Sequence, residues 1–273
     1  MFEVNSVYNK INEFFIYTHN FTIKELNNVI IEMLFSYNAL NYIFNGAEEK
    51  SGNYKKMLRR FIPAKFINSE KIWLSIWEKA EDEIKEMMNE NYSFYSFYAE
   101  ALMAYLNYIY LDNTLLCAVL NVNDTLTDQR TGGDSCMISD KYIVLGEAKF
   151  YQDFNNAKYM IKKDFESSSL YNKLDNLYRS YINSDFDIII KTVDDKKINC
   201  TYEEFLKKNI ILSGFILHDK KDSYKYDDID EIKTLRKLKN SKIVFYHLPI
   251  ESKNELILLI IKKALELIVD EPE

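Results

Sequence analysis

The chain has 273 residues, of which 47% are hydrophobic and 28% charged, with a net charge of −7. That hydrophobic fraction excludes a disordered chain, and the length allows a substantial core in one large domain or two small ones. The negative charge argues against a free-standing, high-affinity nucleic-acid binder, unless a groove is locally basic or a partner supplies the DNA affinity. Cys117, Cys136 and Cys200 are odd in number and lack C-x-x-C spacing, which fits a reducing cytoplasm and argues against a zinc site. No basic n-region or apolar h-region opens the sequence. The run Leu256 to Ile261 is broken by Lys262-Lys263 and is too short to span a bilayer, so a cytoplasmic location without membrane is expected.

In chain order, residues 1–90 read as helical, a scaffold or a partner-docking surface with no enzymatic signal. Thr22-Ile23-Lys24-Glu25 matches a capping box ahead of Leu26, Val29, Ile30 and Leu34. Pro63 marks a break, and a second helix is expected from about Glu70, carrying Ile72, Trp73, Ile76 and Trp77. Over 92–110 a 100° step per residue puts Tyr98, Leu102, Tyr105 and Ile109 on the apolar stripe. Glu100 falls opposite, with Ser96, Met103 and Asn107, on a face read as solvated. Leu115 to Val122 is a strand candidate, and the polar stretch Asn123 to Arg130 leads to a turn at Gly132-Gly133. Asp134 opens the run Ser135 to Ile138, which can form a hairpin with the next strand.

That next strand, KYIVLGEAKFY over 141–151, carries the chemistry. Alternation puts Ile143, Leu145, Glu147 and Lys149 on one face and Tyr142, Val144, Gly146, Ala148 and Phe150 on the other. Both faces are mostly apolar, the mark of a strand covered on two sides. A buried charge that loses its partner costs about 3–5 kcal/mol, so Glu147 and Lys149 need partners. A divalent cation plus a phosphate would supply them. Two carboxylates, Asp134 and Glu147, offer hard oxygens for Mg²⁺, and Lys149 could position water or neutralise a developing oxyanion. Asp124, Asp128 and Asp140 are rival carboxylates in loop positions. The competing reading is a surface hairpin with a cross-strand Glu–Lys pair.

Beyond the motif, residues 154–175 read as a helix. Three basic stretches are candidate phosphate tracks or solvated helix faces. They are Lys55, Lys56, Arg59 and Arg60; Lys158, Lys162 and Lys163, the one favoured by its closeness to the motif; and Lys233, Arg236, Lys237, Lys239 and Lys242. Thr201 to Glu204 is a second capping box. Strands are expected over 210–217 and 243–247, each ending at a histidine, His218 and His247. These two and His19 read as structural. Ser252 caps a last helix with Leu256, Ile260, Ala264 and Leu267 on its apolar side.

Glu100 on a helix, Asp134, then Glu147-Ala148-Lys149 on a strand resembles the PD-(D/E)xK nuclease superfamily. The run Leu145-Gly146-Glu147-Ala148-Lys149-Phe150-Tyr151, with the later Gly214-Phe215-Ile216-Leu217-His218-Asp219, looks more closely like the HamA-type subunits of Hachiman anti-phage systems. Gly133 stands where the superfamily motif has a proline. The resemblance covers roughly residues 90–250. It implies a restriction-endonuclease-like core, a mixed central sheet flanked by helices, over 91–273, with the helical region 1–90 packed against it. It further implies Asp134 and Glu147 as Mg²⁺ (or Mn²⁺) ligands, Lys149 as the catalytic lysine and Glu100 as a supporting catalytic and metal-binding carboxylate. DNA is the implied substrate, a helicase the implied partner and phage defence the implied role. Two other readings stay open: a non-catalytic assembly or sensing subunit on a nuclease fold, and a stand-alone restriction endonuclease. The negative charge and the lack of a DNA-reading module speak against the last.

Overall fold

The computed structural model describes residues 4–9, 14–43, 54–90, 96–120, 135–139, 141–150, 153–166, 170, 172, 174, 207–220, 223–238 and 241–270. The first elements are strands, β1 (Val4–Asn9) and β2 (Phe14–His19). This corrects the expectation that residues 1–90 are helical throughout. Phe14 to His19 reads FFIYTH, aromatic and β-branched residues that suit a pleated surface, and β2 pairs in parallel with a strand near the other end of the chain.

Helices follow: α1 (Ile23–Ile30), continued by a π turn over Ile31–Phe35, then α2 (Tyr37–Ile43), α3 (Tyr54–Arg59), α4 (Glu70–Ser75), α5 (Trp77–Glu90) and α6 (Ser96–Tyr110). The expected capping box starts α1. The Glu25 amide donates to Thr22 Oγ1 at 3.2 Å, and the Thr22 amide donates to Glu25 Oε2 at 2.7 Å, satisfying two amide donors at the helix start. The remaining elements are β3 (Leu116–Leu120), β4 (Ser135–Ile138), β5 (Tyr142–Phe150), α7 (Phe154–Glu166), β6 (Asn209–Asp219), β7 (Ser241–Ile250) and α8 (Lys253–Asp270). Ser252 caps α8 as expected, its Oγ accepting from the Glu255 amide at 3.3 Å. The second capping box, Thr201 to Glu204, lies outside the described residues.

Among the described residues, seven strands form one mixed sheet in the order β1-β2-β7-β6-β5-β4-β3. β2, β7, β6 and β5 are mutually parallel, while β1, β4 and β3 add antiparallel edges. Parallel strands must be covered on both faces, and two buried clusters do this. On one face Val144, Ala148, Ile211, Phe215, Val244 and Tyr246 join a core with α6, α8 and the helices between Phe21 and Met88. On the other, Ile143, Leu145, Leu212, Ile216, Ile243 and Phe245 pack with Phe154, Ala157, Ile161 and Phe165 of α7 and with Ile229, Ile232 and Leu235. The helices of the first ninety residues therefore share one core with the sheet, and the chain is an α/β structure with its mixed sheet flanked by helices.

Candidate active site

β5 lies inside the sheet, parallel to β6 on one side and antiparallel to β4 on the other. Glu147 and Lys149 leave it on the α7 face, the face of Ile143 and Leu145. Glu147 is 4% exposed. Lys149 Nζ stands 3.5 Å from Glu147 Oε2 and 3.1 Å from Asp164 Oδ2 on α7. The pair is thus an inward-facing, largely desolvated one rather than a surface cross-strand pair. Asp164 is the partner that sequence reading missed. It lies fifteen residues beyond Lys149, and no local spacing marks it.

The neighbour of Glu147 on β6 is Gly214. A Cβ there would lie 2.8 Å from the Phe245 ring and 3.3 Å from Ile161 of α7, so the glycine lets α7 close down on the strands beside the carboxylate. That close approach holds Asp164, one turn after Ile161, over Lys149.

Asp134 and the rival carboxylates Asp124, Asp128 and Asp140 lie outside the described residues. Ser135, which follows Asp134, pairs with Gly146, the neighbour of Glu147. Glu100 requires a correction. Its face of α6 is not solvated: Glu100 is 5% exposed, Met103 and Asn107 are buried, and Ile109 of the expected apolar stripe is 44% exposed. Asn107 accepts from Ser213 Oγ of β6 at 2.7 Å, so the Glu100–Met103–Asn107 stripe faces the sheet. It does so on the face opposite Glu147 and Lys149, and the structure does not bring Glu100 to their side.

Of the basic candidates, Lys158 is buried rather than free to track phosphate. Its ammonium donates to the Lys225 carbonyl at 2.9 Å and meets Asp228 Oδ2 at 3.3 Å, tying α7 to the segment 223–232. Arg59 pairs with Glu70 at 2.6 Å. Lys163, Lys233 and Lys237 remain exposed. Lys253, at the start of α8, lies 5.0 Å over the Phe150 ring at the end of β5. Burial lowers its pKa, against the opposing pull of Asp219.

His218 and His247 meet each other rather than a carboxylate. Both are fully buried, with Nε2 atoms 2.6 Å apart. His218 Nδ1 is 2.8 Å from the Asp219 carbonyl, an acceptor only, so that nitrogen carries a proton. The two Nε2 atoms then share the proton that His247 donates. His247 Nδ1 accepts from the Tyr226 hydroxyl at 2.6 Å, and Thr18 Oγ1 lies 3.3 Å from that hydroxyl. Phe154 and Tyr224 pack against both imidazoles. The chain of hydrogen bonds is satisfied with neutral rings. Burial, with His218 and His19 nearby, lowers the His247 pKa to about 2.

Among the described residues no group of three or more His, Cys, Asp and Glu is placed to hold a metal ion. Glu147 supplies one buried hard oxygen donor of the kind Mg²⁺ takes, so a metal held here would need further oxygen donors. No helix among the described residues is long and apolar enough to cross a membrane. Comparison with protein-family models, with curated proteins and with solved structures finds no significant match.

Proposed function

We propose that this chain is a metal-dependent deoxyribonuclease with a restriction-endonuclease-like core, acting with a helicase partner as the effector of a bacterial anti-phage complex. The observation that carries the reading is the meeting of Glu147 and Lys149 on one face of a central strand, with the carboxylate buried. A buried acid and a lysine two residues apart, placed on a rigid strand, are groups whose desolvation suits charge stabilisation in phosphoryl chemistry. Glu147 and Asp134 would hold Mg²⁺ or Mn²⁺, and when bound the cation supplies Lewis-acid charge at the phosphodiester. Lys149 presents its ammonium to the charge that builds on the phosphate oxygens. The helicase partner and the defence role rest on the resemblance of Leu145 to Tyr151 and Gly214 to Asp219 alone. The net charge of −7 favours a nuclease whose DNA is delivered by a partner over a stand-alone restriction enzyme.

The test uses purified full-length chain, alone and with the co-expressed helicase, on linear and circular DNA. Cutting is expected with Mg²⁺ or Mn²⁺, to stop on adding a chelator, and to be abolished by Glu147→Gln and by Lys149→Ala while both variants keep wild-type circular dichroism. Wild-type cutting by either variant sinks the catalytic assignment. Full phage protection by Glu147→Gln in cells would instead favour the non-catalytic subunit.

A further inference from the structure

We propose that Tyr110 is a one-electron redox site, a phenol that gives its electron to a small oxidising radical and its proton to His19. The site lies on the sheet face opposite Glu147 and Lys149, and the proposal stands apart from the nuclease reading. Tyr17 of β2 and Tyr246 of β7 are register neighbours, and the Tyr110 ring at the end of α6 meets both. Ring centroids are 4.5 Å apart for Tyr17 and Tyr110, 5.7 Å for Tyr17 and Tyr246, and 6.0 Å for Tyr110 and Tyr246. The Tyr110 hydroxyl stands 3.3 Å from His19 Nε2, at the end of β2. Tyr17 and Tyr110 are half-buried, whereas Tyr246 and His19 are buried. A small oxidant can therefore reach two of the rings, while the imidazole is shielded from water.

Packing alone does not call for three phenols here. Phenylalanine would fill the same ring volumes, and the Tyr246 hydroxyl is buried with no hydrogen-bond partner among the described residues, at a cost of about 1–3 kcal/mol. What a phenol has and a phenyl ring lacks is an electron that leaves readily once the O–H proton has a base to go to. His19 is that base. Its contact with the His247 backbone favours the imidazolium, as an N–H donated to a carbonyl does. Nδ1 then carries the proton of the neutral ring, and Nε2 accepts from Tyr110. Burial holds the His19 pKa down to about 4, so the Nε2 lone pair is in place at neutral pH. On oxidation by a peroxyl radical, the electron passes from Tyr110 to the oxidant, which leaves as a hydroperoxide anion. The phenol proton crosses to His19 Nε2, and a neutral tyrosyl radical remains beside an imidazolium. The Tyr246 hydroxyl has no such acceptor, so the hole settles on Tyr110 rather than on its stacked neighbour.

Flash oxidation of the full-length chain decides the matter, with a photoexcited ruthenium tris-bipyridine complex and persulfate as the one-electron oxidant. The radical is read by its absorbance and its electron paramagnetic resonance signal. Wild type should give a long-lived tyrosyl signal that is lost in Tyr110→Phe and kept in Tyr17→Phe. A signal that survives Tyr110→Phe belongs to another of the 21 tyrosines and overturns the proposal, as does the lack of any long-lived tyrosyl signal in wild type. His19→Gln should slow radical formation about 100-fold, the low end of what a positioned proton acceptor contributes. A wild-type rate in that variant overturns the role of His19. Wild type alone tests the same point should the variant fold poorly. Its rate should not depend on the concentration of phosphate added as a base, and a rate that climbs with phosphate shows the proton leaving to solvent, which removes His19 from the site.

Discussion

Lowering the pH from 7 to 5 will cost this fold about 4 kcal/mol of stability, before most carboxylates begin to titrate. The cause is a pair of buried neutral histidines. His247 has its pKa lowered to about 2 by burial, with His218 and His19 nearby, and His19 is lowered to about 4 by burial, against an opposing backbone contact at His247. In the unfolded chain both return to about 6.5. A base whose folded pKa is depressed stays neutral in the native state while the unfolded chain takes up protons. Its contribution is therefore complete above about pH 6.5 and is lost as the pH falls, down to about 4 for His19 and about 2 for His247. At pH 5 each contributes a loss of about 2 kcal/mol, from 1.36 kcal/mol per pH unit. Protonating His247 at Nδ1 would also turn a proton toward the Tyr226 hydroxyl and reverse the direction of that hydrogen bond. Urea unfolding at pH 7.5, 6 and 5 measures the slope, and His247→Gln should flatten about half of it while lowering stability at pH 7.5. A free energy that stays level between pH 7 and pH 5 would sink this account.

Gly214→Ala will destabilise the chain by about 1–3 kcal/mol, the usual cost of an extra methyl in a filled core. The new Cβ would lie 2.8 Å and 3.1 Å from two Phe245 ring atoms and 3.3 Å from Ile161. Phe245 cannot swing clear, because it is fully buried between strands held in register. The relief must come from α7 moving outward, which lifts Asp164 away from Lys149 as well. Midpoints should fall by about 2–4 °C per kcal/mol for a chain of this size. Adding Phe245→Leu should recover part of the loss, since the shorter side chain frees the ring volume. If Gly214→Ala melts with wild type, the close packing beside Glu147 is not what sets α7 in place.

Local chemistry was legible where it acts over a few residues. The caps at Thr22 and Ser252, the strand carrying Glu147 and Lys149, and the existence of the strands carrying His218 and His247 all follow from spacing and composition, although β7 runs on past His247 to Ile250. Long-range partners were not. Lys158 looks like a solvated helix lysine until Asp228 meets it, and Asp164 has no mark until α7 folds back over β5. The Glu100 stripe failed for another reason. Nearly every residue of α6 from Phe97 to Asn107 is buried except Tyr105, because sheet and helices enclose it on all sides, and a two-sided reading of such a helix has no solvent face to find. The meeting of the two histidines depends on β6 and β7 being neighbours, which neither strand announces.

The pairing of β2 with β7 also sets a schedule for folding. Phe14 lies beside Ile243, so the β1–β2 hairpin, made long before β7, must wait for that strand before its sheet edge exists. Contacts of such sequence separation close slowly, and until then the aromatic strand β2, FFIYTH, has no neighbour on its β7 side. Residues 91–273 expressed alone would leave the β7 edge, SKIVFYHLPI, with no neighbour on one side. An open, apolar strand edge of that length recruits copies of itself, and the fragment is expected in inclusion bodies or large aggregates by size-exclusion chromatography. Supplying residues 1–90 in trans should return part of it to solution. The amino-terminal hairpin thus acts as an intramolecular edge guard, and translation leaves the cell a period in which that guard has nothing to cover.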